Sequence, residues 1–294
     1  MDTDARGQAA PFLAVLHEQY PDLTVRSVRI ATSGQNNTAL IVNDAVVFRF
    51  PRYPVGITTM HREIALLRAI CGYVPLPIPD PTYASDLHAP VGRSFTGYPL
   101  LPGEPLGRAT FAALSAEVRH AAAARLAAFL RALHAIPPDV LPQGVPLADG
   151  RDQWAEMYAQ VRRLLFPSMR PDARDAVRNH FAAFLNTPAH FIWHPVLRHG
   201  DFGSSNILYD SIRETITGVI DFSEAALGDP AVDIAALTGY GPAFREALYA
   251  AYGEARAWEA RIAFYIGTFA LQEALSGLEN GDAIAFRRGI ASYM

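Results

Sequence analysis

The chain contains no lysine, so all 25 of its basic residues are arginine. Any task that needs a fixed cation must here fall to guanidinium, which stays charged and donates through a planar fork. Cysteine is almost absent as well. Cys71 stands alone, which excludes an intrachain disulfide and a cysteine-built metal site. Half the residues are hydrophobic, yet no uninterrupted apolar run approaches the ~20 residues of a membrane span. The opening Met1-Asp2-Thr3-Asp4-Ala5-Arg6 is acidic and polar, the wrong character for a secretory leader. Positive charge is not in excess either, and a net charge of −4 disfavours bulk binding to nucleic acid or anionic membrane. These absences lead to the expectation of a cytoplasmic protein with neither nucleic acid nor membrane as partner, and a monomer is expected. A length of 294 residues leaves room for one large domain or two modest ones.

What is present is concentrated in one stretch. His199-Gly200-Asp201-Phe202-Gly203-Ser204-Ser205-Asn206 is followed by the apolar run Val219-Ile220 and then Asp221-Phe222. Asp201, Asn206 and Asp221 stand at the spacings of kinase-type phosphoryl transfer. There, one aspartate orients the acceptor hydroxyl while an asparagine and a second aspartate hold Mg²⁺. That reaction is mostly positioning and charge neutralisation, and hard oxygen ligands suit Mg²⁺. Asp201-Phe202-Gly203 also spells the tripeptide that usually marks the metal-binding aspartate. His199 two residues before and Asn206 five after instead give Asp201 the acceptor-orienting slot. Ile207-Leu208-Tyr209 and Thr217-Gly218-Val219-Ile220 read as two strands joined by a polar turn, which returns the chain and gives Asp221 the metal slot.

Upstream, Val25–Ile30, Thr38–Val42 and Ala45–Phe50 read as strands, with Asn43-Asp44 as a turn. The polar segment holding Ser33, Gly34 and Asn36 reads either as a plain hairpin loop or as a loop closing over phosphates with backbone N–H groups and small hydroxyls. A helix is expected over Thr58–Ile70 with threonine at its cap, then a proline-rich connector over Pro75–Pro81 and a strand over Arg93–Leu101. Further helices are expected over Val118–Ile136, Gln153–Phe166, Pro171–Leu185, Pro230–Leu237, Pro242–Tyr252 and Trp258–Leu278. Asp229 can cap the helix that follows it, Asp233 can brace the loop of Asp201, and His199 reads as a loop-organising residue.

Six blocks carry a family likeness. They are Val47-Phe48-Arg49-Phe50-Pro51-Arg52, Arg62-Glu63, Gly97 to Gly103, His199 to Asn206, Gly218 to Phe222 and Gly228 to Asp233. Together they resemble the aminoglycoside phosphotransferase family of antibiotic kinases, most like its 2″-phosphotransferase group, with macrolide phosphotransferases next. The resemblance implies an α+β, two-lobed, protein-kinase-like fold. Residues 1–97 would form a nucleotide-binding lobe with a five-stranded antiparallel sheet and a helix. Residues 98–104 would be the hinge, and 105–294 a mostly helical catalytic and acceptor-binding lobe. It also implies Mg²⁺ and GTP or ATP as phosphate donor. Arg49 falls in the slot where kinases carry a phosphate-gripping lysine, and Glu63 is its helix partner. This departure follows from the absence of lysine, and guanidinium can grip both phosphate and carboxylate. Pro99 lacks an N–H, so its carbonyl and the Leu101 N–H are the expected purine contacts. Tyr98 would stand at the back of the nucleotide pocket and narrow it towards guanine.

The acceptor is least legible. From Asp221 to Asp282 ten acidic residues face three arginines in the sequence, a balance suited to a polycationic antibiotic. Ser204, Glu224, Glu273, Glu279 and Asp282 are the candidate contacts. A macrolide would need an apolar wall instead, which Trp258, Phe264, Tyr265, Phe269 and Leu271 offer. Three readings therefore remain: an aminoglycoside kinase, a kinase for a macrolide or another small alcohol, and a non-catalytic nucleotide-binding regulator.

Overall fold

The computed structural model describes residues 2–31, 37–86 and 88–294. Contacts divide the chain into two compact units. The first comprises Met1–Gly107, Ile136–Val145 and Ser205–Ala225, and the second Arg108–Ala135, Pro146–Ser204 and Ala226–Met294. In chain order the elements begin with α1 (Asp2–Gln19), β1 (Val28–Ala31), β2 (Asn37–Val42), β3 (Val46–Pro51) and α2 (Pro54–Ile70). Strands β4 (Tyr83–Ala84), β5 (Thr96–Pro99) and β6 (Glu104–Pro105) follow, then helices α3 (Arg108–Ala113), α4 (Ala116–His134), α5 (Arg151–Gln160) and α6 (Pro171–Leu185). The remainder is β7 (Val196–Arg198), β8 (Ile207–Asp210), β9 (Thr215–Val219), β10 (Ala226–Gly228), α7 (Ala231–Leu237), α8 (Pro242–Tyr252), α9 (Glu259–Glu279) and α10 (Ala283–Ile290).

In the first unit, β1 to β5 form a five-stranded antiparallel sheet in the order β1-β2-β3-β5-β4. Asn43 and Asp44 join β2 to β3 with φ of 56° and 49°, the left-handed pair that suits a tight hairpin. Phe48, Phe50 and Phe95 bury their rings against Leu40 and Val42, and α1 covers them with Ala9, Leu13 and Leu16. Helix α2 starts at Pro54, four residues before the expected Thr58. Tyr53 is extended and proline takes the first turn, where its missing N–H costs nothing. The β8–β9 hairpin forms as expected and gains a third strand, since β6 pairs with β8. Gly103 makes that approach possible. Its φ is 103°, and a Cβ there would lie 2.6 Å from Thr217 Oγ1 and 2.8 Å from the Tyr209 carbonyl oxygen.

The second unit is helical, apart from the β7–β10 pair. Ser115 caps α4 by accepting from the Val118 N–H, and Leu126, Phe129, Leu130 and Leu133 bury its inner face. The helix expected over Gln153–Phe166 ends early at Gln160, then passes through a wide turn at Val161–Leu165 and a tight one at Phe166–Ser168. Pro167 cannot continue a helix there. Phe264 and Tyr265 are buried among Trp154, Phe181 and Phe184, so they serve the core rather than an apolar acceptor wall. Among the described residues no helix is long and apolar enough to cross a membrane.

Candidate functional site

The sequence-predicted residues fall into two groups, one in each unit. In the first unit, strand β3 delivers Arg49, helix α2 delivers Glu63, and Asp221 follows β9 directly. Arg49 is buried and uses its fork fully. Nη1 donates to both oxygens of Glu63, at 3.0 and 3.2 Å, and Nη2 donates to Asp221 Oδ1 at 3.0 Å. A lysine carries one nitrogen and could not hold both partners in this planar geometry. Burial disfavours the Arg49 charge, but the carboxylates of Glu63 and Asp221 outweigh it and hold the guanidinium well above its ordinary value. Burial likewise pushes Glu63 up, against the pull of Arg49 and of the Phe222 N–H, which donates to Glu63 Oε1 at 2.9 Å. With Arg62 Nη2 also donating to the Ser223 carbonyl at 3.2 Å, α2 is tied to the segment after Asp221 at several points.

Register places Tyr98 beside this cluster. Arg49 lies opposite Thr96 across β3 and β5, and Tyr98, two residues further on, shares the same face. Burial pushes the Tyr98 phenol up to about 12, so it stays protonated at neutral pH. The next N–H, that of Leu100, donates to the Ala45 carbonyl at 2.7 Å and is committed to the sheet edge. Pro99 and Leu101 flank it. Ser33, Gly34 and Asn36 lie outside the described residues.

The β8–β9 register Ile207↔Val219, and the Ile220 N–H donating to the Asn206 carbonyl at 2.9 Å, put Asn206 beside the strand end that carries Asp221. Asp221 has φ of 65°, a left-handed conformation that a short polar side chain tolerates best. One carboxamide and one carboxylate make a hard-oxygen donor pair. Among the described residues no cluster of three or more His, Cys, Asp or Glu could hold a metal by itself. Mg²⁺ takes oxygen donors of this kind, and such a pair would share it with phosphate oxygens and water.

In the second unit, β7 delivers His199, Gly200 and the exposed Asp201. Gly200 turns the chain with φ of 88°. Asp233, on α7, is fully buried, and its carboxylate accepts from the His199 N–H at 2.8 Å and the Gly200 N–H at 2.9 Å. This is the expected brace of the loop. Burial alone would raise Asp233, but the hydrogen bonds it accepts from His134 and the Gly200 N–H hold it below its ordinary value. Asp229 accepts from the Ala231 N–H at 2.9 Å, the expected cap, and also from Arg261 Nε at 2.7 Å and the Tyr265 hydroxyl at 2.8 Å. His199 organises the loop: its Nδ1 accepts from the Asp201 N–H at 3.3 Å, and its ring meets Phe202, which stacks on Phe129.

The acceptor candidates are scattered. Glu273 pairs with Arg288, and Asp282 caps α10 by accepting from the Ile284 and Ala285 N–H groups at 2.9 and 3.0 Å. Both carboxylates are thus engaged within their own unit. Glu279 is exposed at the end of α9, Glu224 is exposed on the segment after Asp221, and Ser204 is the last residue before the chain passes into the first unit. Three supports were not legible in the sequence. Arg198, just before His199, is paired with the buried Asp149, and His134 contacts Asp233 with Tyr252 behind it. These partners lie between 49 and 118 residues apart, and no local spacing announces them.

A model of the Phosphotransferase enzyme family matches residues 27–264. The viomycin phosphotransferase of Streptomyces vinaceus is 32% identical over 197 residues, covering 66% of this chain and 67% of that protein. Among solved structures, the GDP and kanamycin complex of APH(2")-IIia is 28% identical with a TM-score of 0.88, covering 96% of both chains. A macrolide 2'-phosphotransferase type I shares the fold, with a TM-score of 0.76 at 21% identity over 98% of this chain and 97% of its own.

Proposed function

This chain belongs to the phosphotransferase enzyme family, and from that premise we propose that it transfers the γ-phosphoryl of a purine nucleoside triphosphate to a hydroxyl of an aminoglycoside, conferring resistance. The observation that carries the acceptor class is the 28% identity, over 96% of both chains, with a protein solved with GDP and kanamycin. The acidic balance of residues 221–282 agrees with a polycationic substrate.

In this reading Arg49, set by Glu63, grips the donor phosphates, and Ser33, Gly34 and Asn36 contribute backbone N–H groups and small hydroxyls to the same task. The Pro99 carbonyl and Leu101 N–H meet the purine, and Tyr98 favours GTP over ATP. Asn206 and Asp221 would hold Mg²⁺, which when bound neutralises charge on the β- and γ-phosphates. Asp201 orients the acceptor hydroxyl and takes its proton as the oxygen forms a bond to the γ-phosphorus. The bond from that phosphorus to the β–γ bridging oxygen breaks, and the nucleoside diphosphate leaves with the electron pair. Ser204, Glu224 and Glu279 are the acceptor contacts, with Glu273 and Asp282 contributing only if they leave their present partners. Residues 1–97 serve as the nucleotide lobe, 98–104 as the hinge and 105–294 as the catalytic and acceptor lobe of a cytoplasmic monomer.

The test is a transfer screen with GTP and ATP against kanamycin, gentamicin, streptomycin, viomycin and a macrolide, read by mass spectrometry of the acceptor. Phosphorylated kanamycin or gentamicin supports the reading. Phosphate appearing only on viomycin or the macrolide replaces the acceptor class and leaves the kinase standing.

A further inference from the structure

The brace of the catalytic loop continues two residues beyond Asp233. The buried carboxylate has a third donor besides the two loop amides: His134 Nε2, in the last turn of α4, lies 3.0 Å from Asp233 Oδ2. His134 is itself buried, and its Nδ1 lies 2.8 Å from the Tyr252 hydroxyl at the end of α8. The proton positions follow from chemistry. A carboxylate only accepts, so Nε2 carries the hydrogen, and in the neutral ring Nδ1 then has only a lone pair to offer. Burial pushes the Tyr252 phenol up, so it keeps its proton and donates to that lone pair. The chain of donors runs in one direction, from Tyr252 to His134 to Asp233, and Asp233 receives the amides of His199 and Gly200.

We propose that His134 and Tyr252 are positioning residues for phosphoryl transfer: they fix the Asp233 carboxylate and, through its two loop amides, the backbone that carries Asp201. The proposal rests on Asp201 being the acceptor-orienting group. A histidine that merely satisfied its own ring nitrogens would leave the loop indifferent to it. Here its Oδ2 partner is shared with the His199 N–H, so losing His134 frees the carboxylate to rotate away from the amides it holds. Asp201 lies one residue beyond Gly200, whose φ of 88° sets the direction of the loop. A displacement of about 1 Å at a reacting group can cost about 10²-fold in rate.

The test compares the full-length parent with His134→Ala, His134→Gln and Tyr252→Phe, using GTP, Mg²⁺ and kanamycin. In His134→Ala, kcat falls about 10²-fold while both KM values stay within about twofold. Tyr252→Phe loses up to about tenfold in kcat, a change of ~1.4 kcal/mol in the barrier. Glutamine, whose amide N–H can donate to Asp233 and whose oxygen can accept from Tyr252, recovers most of the loss. Hydrogen exchange of the His199–Asp201 amides, measured without substrate, quickens in His134→Ala and is restored in His134→Gln. Unchanged kcat in all three variants, KM values rising in step with the loss, or unchanged loop exchange overturns the proposal. If the parent phosphorylates none of the acceptors screened, the proposed function fails instead, and loop exchange alone then decides the brace. Should His134→Ala fail to fold, Tyr252→Phe and His134→Gln carry both readouts.

Discussion

Replacing Arg49 by methionine isolates what the forked cation contributes, because the stem is kept and the charge is lost. Glu63 is then left buried with the Phe222 N–H still donating to it. Removing one partner of a buried ion pair costs about 3–5 kcal/mol. The arm to Glu63 belongs to that class, with side-chain exposures of 11% and 4%. The arm to Asp221 does not, since that carboxylate is 38% exposed, and solvent screening limits it to ~1 kcal/mol or less. A stranded Glu63 can also take up a proton, which makes the loss depend on pH. Burial already raises Glu63 from 4.5, and removing Arg49 raises it further. The folded protein then holds this proton to a higher pH than the unfolded chain. The variant is most stable below 4.5 and loses up to ~1.4 kcal/mol per pH unit as pH rises through the window up to the raised folded value. Urea unfolding followed by circular dichroism from pH 4.5 to 8 reads this directly, with Arg49→Met/Glu63→Gln as the control that removes the slope. A single variant as stable as the parent at neutral pH, or a slope that survives in the double variant, refutes the reasoning.

Asp201→Ala should abolish transfer and leave nucleotide affinity nearly intact, whereas Asp221→Ala should weaken both rate and Mg²⁺-dependent nucleotide binding; kinetics and calorimetry on the pair check the division of roles. Acceptor KM should rise with salt as the screening length falls to about 8 Å and below, because single exposed charge pairs give ~1 kcal/mol or less and must act together. Glu224→Gln and Glu279→Gln should raise that KM with little change in kcat, and a salt-independent KM would count against a polycationic acceptor. Asp233, held below 3.8, contributes stability that is complete above that value and lost as pH falls through its lower folded value. Acid titrations of the parent and Asp233→Asn should therefore converge only below pH 3.8.

Local pattern carried the parts of the fold that local chemistry decides. The apolar, branched run Thr38–Val42 and the strand-like Ala45–Phe50, joined by Asn43-Asp44, gave the central hairpin, and prolines bounded α6 and α8 at the expected residues. Helix α1 was not expected, because Gly7 and Pro11 both weaken a helical reading; its burial on the sheet overrides that preference. The short helix α10 also went unpredicted, although Asp282 caps it. The two-residue strand β6 carries no strand pattern of its own, since its pairing with β8 lies about a hundred residues away in sequence. The site divides in the same way. Asp201, Asn206 and Asp221 were proposed from spacing, whereas the acids proposed for the acceptor rested only on charge. Two of those, Glu273 and Asp282, are engaged by Arg288 and by a helix terminus.

The most direct measurement follows the γ-phosphate itself. With GTP labelled at that position, Mg²⁺ and kanamycin, the parent protein should place the label on a kanamycin hydroxyl, and Asp201→Ala should place none there. Label found only as free phosphate, or transfer to kanamycin that persists at the parental rate in Asp201→Ala, would contradict the account.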